Sequence, residues 1–271
     1  MVASTVAKPR STHHLRAVFY PNSTAAGADG PDADGRGLGY TQAWHRTNYE
    51  SSPFCVPNEL VCAEIGAFLR LPIPAFAVTY AADSRYFFSS LDFNFDKDDL
   101  PPIEPDRAWA KLPDLCTGVT LFDILIANSD RHDENLVVDQ VMDPKAMRVF
   151  DHDQALFGGG QPLKGVERLN QLTNRLGISN GGVTGGNRHC LIDYIATTEH
   201  FGKWLTRIDS LPDWFIDDVF ARAGNYRLSA DERTAGCNFI KTRRNSLRDI
   251  IQAHSGEFTA VTEWPSDGRL L

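Results

Sequence analysis

The segment ANSDRHDENLVVDQVMDPKAMRVFDHDQALF, residues Ala127 to Phe157, decides how this chain is read. Two polar clusters, Ser129 to Asn135 and Asp151 to Asp153, adjoin the apolar runs Leu136-Val137-Val138 and Val149-Phe150. The turn signal Asp143-Pro144 lies between them. The pattern predicts a β-hairpin with acidic residues at both ends of its base. Antiparallel pairing would bring Asn135 and Asp151 together, so that two oxygen side chains can share one hard cation. Asp130, on the turn just before, is a carboxylate that the cation does not need. A metal site with an adjacent spare base is what phosphoryl transfer to a hydroxyl requires. Taken singly, acidic residues at strand ends are ordinary turn chemistry. Their order and spacing carry the reading.

Around this segment the composition sets bounds. A chain of 271 residues, 42% hydrophobic and 23% charged, is that of a soluble globular protein with one large or two small domains. No apolar run approaches the ~20 residues that span a bilayer, and the first sixteen residues lack the apolar stretch of a secretion signal. The five cysteines (Cys55, Cys62, Cys116, Cys190, Cys237) are scattered and odd in number, with no C-x-x-C pair. Reduced thiols in a cytoplasmic protein are expected, without a zinc site. Thirty-five acidic against 27 basic residues give a net charge of −8, the wrong sign for an extended nucleic-acid surface. No membrane partner is expected either.

In chain order, residues 1–14 read as a flexible tail and Leu15 to Tyr20 as a first strand. Pro21 to Gly39 is a glycine- and aspartate-rich loop, either a plain surface loop or a mobile cover over nucleotide phosphates; it contains no G-K-[ST] phosphate-binding motif. Gly39 to His45 reads as a second strand. Asn58 is expected to cap a helix through Leu69, with Leu60, Val61, Ile65, Phe68 and Leu69 on its inner side and Glu59 in its first turn. Pro72 and Pro74 follow. Phe76 to Tyr80 and Tyr86 to Leu91 read as a hairpin. The acidic, proline-bearing stretch Asp92 to Pro105 marks the boundary between a lobe of residues 15–100 and one of residues 101–255. Pro113 to Ile126 is an apolar-faced helix. After Phe157 a glycine-rich, mobile segment is expected. Helices over Leu191–Leu205, Pro212–Ala223 and Ala230–His254 follow, the last with the capping box Ser229/Glu232. Residues 256–271 are expected to be an irregular tail.

The run Asp130-Arg131-His132-x-x-Asn135, followed by a short hairpin and Asp151, resembles the core shared by phosphoinositide-type kinases and HipA-like kinases. Asn58-Glu59-Leu60-Val61-Cys62-Ala63, ending in Leu71-Pro72-Ile73-Pro74, looks like the HipA-like helix that follows the nucleotide-binding strands. The resemblance covers roughly Gly39 to Phe157. It implies an α+β, bilobal, protein kinase-like fold: a small antiparallel N-lobe and a mainly helical C-lobe.

The resemblance also implies roles. ATP and Mg²⁺ would be the cofactors, with Asn135, Asp151 and, in reserve, Asp153 on the metal. Asp130 would be the base or orienting carboxylate, with His132 near the transferred phosphate. Arg131 would pair with a carboxylate close by, while Asp123, Asp133 and Glu134 would be helix-face or loop charges. Glu59 would orient the phosphate-binding cation. The lysine that usually fills that position is missing, since none occurs between Lys8 and Lys97; Arg46 could replace it. Ser89, Ser90, Leu91, Asp92 and Phe93 would form the hinge whose backbone holds adenine. The expected activity is phosphorylation of a hydroxyl, Ser or Thr of a protein substrate or of the chain itself within Gln171 to Gly186. A toxin-type regulatory role with an antitoxin-like partner belongs to the same family. The alternatives are a kinase of small molecules or lipids, or a pseudokinase scaffold.

Overall fold

β-Prone stretches build a four-stranded antiparallel sheet in the first third of the chain. In the computed structural model, which describes residues 12–19, 37–48, 52–80, 86–91, 100–159, 164–179 and 188–265, its strands are β1 (Thr12–Phe19), β2 (Gly37–Thr47), β3 (Phe76–Tyr80) and β4 (Tyr86–Leu91). The order is β1-β2-β4-β3, all neighbours antiparallel. The first strand begins at Thr12, inside the expected tail, because Thr12 to His14 pair with Gln42 to Trp44. The loop expected over the phosphates lies, apart from its last three residues, outside the described residues.

Helix α1 (Cys55–Phe68) lies against this sheet. It begins three residues before Asn58, which is therefore not its cap. Pro57 is tolerated in the first turn, where backbone N–H groups have no intrahelical partner. Asn48 Oδ1 accepts one of these, from Val56 at 2.8 Å. Glu59 is thus the fifth helical residue rather than part of the first turn. The helix is buried almost all round, from Cys55 to Cys62 without a break, because the second lobe covers its outer side. Arg222 pairs with Glu64, Phe68 and Phe215 have ring centroids 4.7 Å apart, and Arg207 Nη1 donates to Leu69 O at 3.1 Å.

The second lobe comprises α2 (Pro105–Lys111), α3 (Pro113–Ile126), the hairpin β5 (Leu136–Val138) and β6 (Met147–Val149), α4 (Gly165–Leu172), α5 (Phe201–Asp209), α6 (Asp213–Ala223) and α7 (Ala230–Ala253). Helix α3 is its axis: every residue from Cys116 to Ile126 is buried, against α2, α5 and α7. The expected single apolar face is thus an understatement. At Gly118 an added Cβ would lie 2.3 Å from the Trp204 ring, so the missing side chain lets α5 approach. Helix α7 starts at the Ser229/Glu232 capping box, with both hydrogen bonds formed.

Several boundaries differ from expectation. Helix α4 occupies part of the stretch read as a mobile loop, and α2 begins at Pro105, the last residue of the boundary stretch, which fits the first helical position and fixes its φ there. Residues 188–200 do not continue a helix back from α5. They are turns, held by Arg188 on Asp193 (2.9 Å) and Glu257 (2.6 Å). The supposed tail packs: Phe258 is buried, and Trp264 stands edge-on to Phe201 and Phe258, at 6.1 and 5.7 Å. Among the described residues no helix is long and apolar enough to cross a membrane.

Candidate active site

The chain reverses at the end of α3, where Ala127 adopts a left-handed conformation (φ 51°) and ends the helix. The loop that follows is closed by its own side chains. Asn128 Oδ1 accepts from Asp130 N at 3.2 Å, and Asn135 Nδ2 donates to Asp130 O at 3.0 Å. A short 3-10 turn, Asp133–Asn135, then leads into β5. The hairpin register pairs Leu136 with Val149, which sets Asn135 opposite Phe150 and next to Asp151. Asn135 is buried; with its amide nitrogen committed to Asp130, its Oδ1 is the atom available to a cation. Asp130 and His132 are half-buried on the same loop, and Asp133 and Glu134 are exposed.

Strand β6 ends at Val149, so an extended strand does not set the direction of Asp153. Asp151 takes a left-handed backbone (φ 65°), which Asp tolerates better than most residues. The turn brings both carboxylates to one cation, the guanidinium of Arg46. Arg46 donates from Nη2 to Asp151 Oδ2 and from Nη1 to Asp153 Oδ2 at 2.7 Å, and its Nε lies 3.7 Å from Glu59 Oε1. Glu59 is also tied to His152, through the backbone N at 3.1 Å and Nδ1 at 3.3 Å. As Nδ1 donates to that carboxylate, Nε2 is left as a buried atom with no hydrogen-bond partner among the described residues. Asn58, placed by sequence at the helix cap, instead donates to Asp153 O at 2.7 Å and locks the turn onto α1.

The electrostatics follow from three carboxylates meeting one guanidinium. Burial works to lower the Arg46 pKa, but Asp151, Glu59 and Asp153 hold it above its ordinary value. Burial likewise works to raise Glu59, which the His152 hydrogen bond and the Arg46 charge keep below the usual carboxylate range. Asp153 has too little compensation: burial and Asp151 push it up to about 7 against the pull of Arg46. The cluster is short of positive charge.

A second network lies behind the loop. Arg131 is fully buried, donating from Nε to Asp123 Oδ2 (2.8 Å), from Nη2 to Asp123 Oδ1 (3.1 Å), and from Nη1 to Phe150 O (2.5 Å) and Asn135 O (3.2 Å). Arg131 thus pairs with a nearby carboxylate, as expected. That carboxylate is Asp123, a buried α3 residue rather than a helix-face charge. Asn128 Nδ2 (3.0 Å) and His189 Nε2 (3.1 Å) complete its shell. Burial works to raise the Asp123 pKa, but Arg131 and His189 hold it far below the ordinary range. Arg168 braces the other side, donating to Leu156 O, Ala127 O (3.0 Å) and Gln154 O (3.3 Å). Sequence reading missed Asp123, Arg168 and His189. One signal was present: Asp123 is the single charge within the apolar run Leu121 to Ile126, and a buried charge needs a partner.

The candidate hinge is only partly placed. Ser89 and Ser90 lie in β4, an inner strand, paired on one side with His45 and Trp44 and on the other with Ala77 and Phe76. Their backbone groups therefore belong to the sheet. Ser89 is buried, its hydroxyl 2.9 Å from that of Thr79. Backbone contact with a purine would begin at Leu91, which pairs on one side only. Asp92 and Phe93 lie outside the described residues.

Two or three oxygen ligands are what Mg²⁺ takes from a protein when phosphates and water supply the rest. Asn135, Asp151 and Asp153 are the oxygen-bearing side chains of this loop and turn that could serve in that way. Among the described residues, no group of three or more His, Cys, Asp or Glu side chains forms a ready metal cage.

An antiparallel sheet with one helix, set over a helical lobe that carries the loop and hairpin, defines a bilobal protein kinase-like fold. Among solved structures, the chain is similar to a Helicobacter pylori proinflammatory kinase, CtkA, at 14% identity and a TM-score of 0.54, over 92% of this chain and 98% of that one. No family model and no curated protein matches the chain.

Proposed function

We propose that this protein is an ATP- and Mg²⁺-dependent kinase that transfers the γ-phosphate to a hydroxyl, Ser or Thr of a protein substrate or of the chain itself. The supporting observation is the convergence of Arg46, Glu59, Asp151 and Asp153 where β2 and α1 meet the turn after the hairpin, beside the loop that carries Asp130 and Asn135. Bound between the phosphates and Asn135, Asp151 and Asp153, Mg²⁺ would neutralise charge developing on the transferred group. Arg46, oriented by Glu59, would hold phosphate oxygens with its planar fork. Asp130 would accept the proton of the attacking hydroxyl as its oxygen bonds to phosphorus and the bond to ADP breaks. A protein substrate fits a toxin-type regulator held by an antitoxin-like partner.

A second reading, a nucleotide-binding or purely interacting pseudokinase, is favoured by one feature. The expected lysine is missing from the sequence, and the Arg46 guanidinium pairs with Asp151 and Asp153, the carboxylates proposed for the metal.

Incubation with Mg²⁺ and γ-labelled ATP, beside Asp130→Ala, separates the two. Label on the wild type and none on the variant is expected, with mass spectrometry giving the acceptor. ATP binding without label in any fraction favours the nucleotide-binding scaffold, and no binding ends the kinase reading and leaves a purely interacting one.

A further inference from the structure

His189, two residues after Asn187, reaches back 66 positions to Asp123. Its ring has no exposed surface and both nitrogens have partners. Leu191 N donates to Nδ1 at 3.2 Å, so Nδ1 carries the lone pair and the proton sits on Nε2. That N–H points at Asp123 Oδ2, 3.1 Å away. The Asp123 carboxylate then receives four donors: Arg131 Nε and His189 Nε2 on Oδ2, and Arg131 Nη2 and Asn128 Nδ2 on Oδ1. Four donors fill both oxygens and fix the carboxylate plane. Arg131, gripped by that plane through two nitrogens, has only Nη1 left to direct. This nitrogen joins Asn135 O to Phe150 O, the backbone carbonyls at and immediately before the two candidate metal ligands. The same segment closes a second link, Cys190 N to Arg131 O at 3.0 Å.

From this chain of contacts we infer that His189 is a positioning residue for the metal–nucleotide site. Through Asp123 and Arg131 it fixes the spacing of Asn135 and Asp151. The inference rests on the kinase reading for its consequence, but the strut is a property of the chain alone. A carboxylate that loses one of four donors can turn, and the guanidinium turns with it. The spacing of two candidate ligands 16 residues apart in sequence, Asn135 and Asp151, is then held by the hairpin register alone. His189 also makes this spacing depend on the chain that leaves the glycine-rich stretch.

The test compares His189→Leu, which fills the space without a donor, with His189→Gln, which keeps a side-chain N–H. Three readouts are used: the imidazole ¹⁵N spectrum, backbone amide exchange, and nucleotide affinity with Mg²⁺ and with EDTA. The wild-type ring should show the neutral Nε2–H form. His189→Leu should quicken exchange in residues 130–135 and weaken Mg²⁺-dependent affinity roughly 10- to 100-fold, as loss of outer-shell partners does. Affinity in EDTA should be unchanged, and His189→Gln should restore most of both effects. An Nδ1–H ring, or leucine and glutamine variants that behave alike, overturns the inference. If the wild type binds no nucleotide, the kinase reading falls and the exchange and ¹⁵N results still decide whether the strut exists. If the leucine variant does not fold, the glutamine variant and the wild-type spectrum decide.

Discussion

Arg46 Nη1 donates to Asp153 Oδ2 at 2.7 Å, joining the N-terminal sheet to the turn after the β5–β6 hairpin. The same guanidinium serves Asp151 and lies near Glu59. In the ligand-free protein, one cation therefore holds three carboxylates that would otherwise repel each other.

Arg46→Met removes the guanidinium that those three carboxylates share. Nucleotide affinity is expected to weaken several-fold, and the ligand-free variant to lose on the order of 2 kcal/mol, discounted from a fully buried pair because Arg46 is partly exposed. Millimolar Mg²⁺ should recover part of that loss in the variant and have little effect on the wild type. Thermal unfolding with and without the ion tests this. Equal responses of the two proteins would show that the cluster does not attract cations.

Asp153 gives a pH dependence of known sign. Its folded pKa, about 7, exceeds the ordinary carboxylate value, so the folded state holds more protons between about pH 4 and pH 7. This contribution makes the fold more stable as pH falls through that window. Asp153→Asn, neutral throughout, should gain on the wild type by on the order of 2 kcal/mol between about pH 5 and pH 8. Denaturant titrations at the two pH values give the difference; no change between them would remove Asp153 as the cause.

Asp123→Asn leaves the buried Arg131 unpaired, at a cost of about 3–5 kcal/mol. With its folded pKa held far below the ordinary value, Asp123 stabilises the fold fully above about pH 4. That stabilisation is lost only as pH falls through the depressed folded value. The deficit should therefore be constant from neutral to mildly acid pH. A deficit that vanished by about pH 5 would mean that Asp123 is not held down by Arg131 and His189.

Gly118→Ala sets a methyl group against a Trp204 ring that cannot retreat, because its Nε1 donates to Asp114 O at 2.8 Å. Overpacking of this kind costs about 1–3 kcal/mol. Equilibrium unfolding should show this loss, with the Trp204 fluorescence altered in the native state. Wild-type stability would mean that α3 and α5 can separate at no cost.

Asp151→Ala should abolish Mg²⁺-dependent nucleotide binding, whereas Asp130→Ala should leave binding intact and lower turnover by about 10²- to 10⁴-fold. Calorimetry beside the label-transfer assay distinguishes them. Full turnover in Asp130→Ala would assign the base elsewhere.

The sequence by itself determined the elements whose cause is local. The spacing of Leu136–Val138 and Val149 around Asp143-Pro144 yields the hairpin, the Ser229/Glu232 pair starts α7, and the apolar run after Pro113 makes α3. These are periodicities, caps and turns, written within a few residues of where they act. Only the tertiary structure decided which charges meet. Arg46 lies 105 positions from Asp151, and His189 lies 66 from Asp123; no local pattern encodes such pairs. They arise because a buried charge must find its partner wherever the fold brings one, and the turn at Asp151 and the start of α1 at Cys55 adjust to that need.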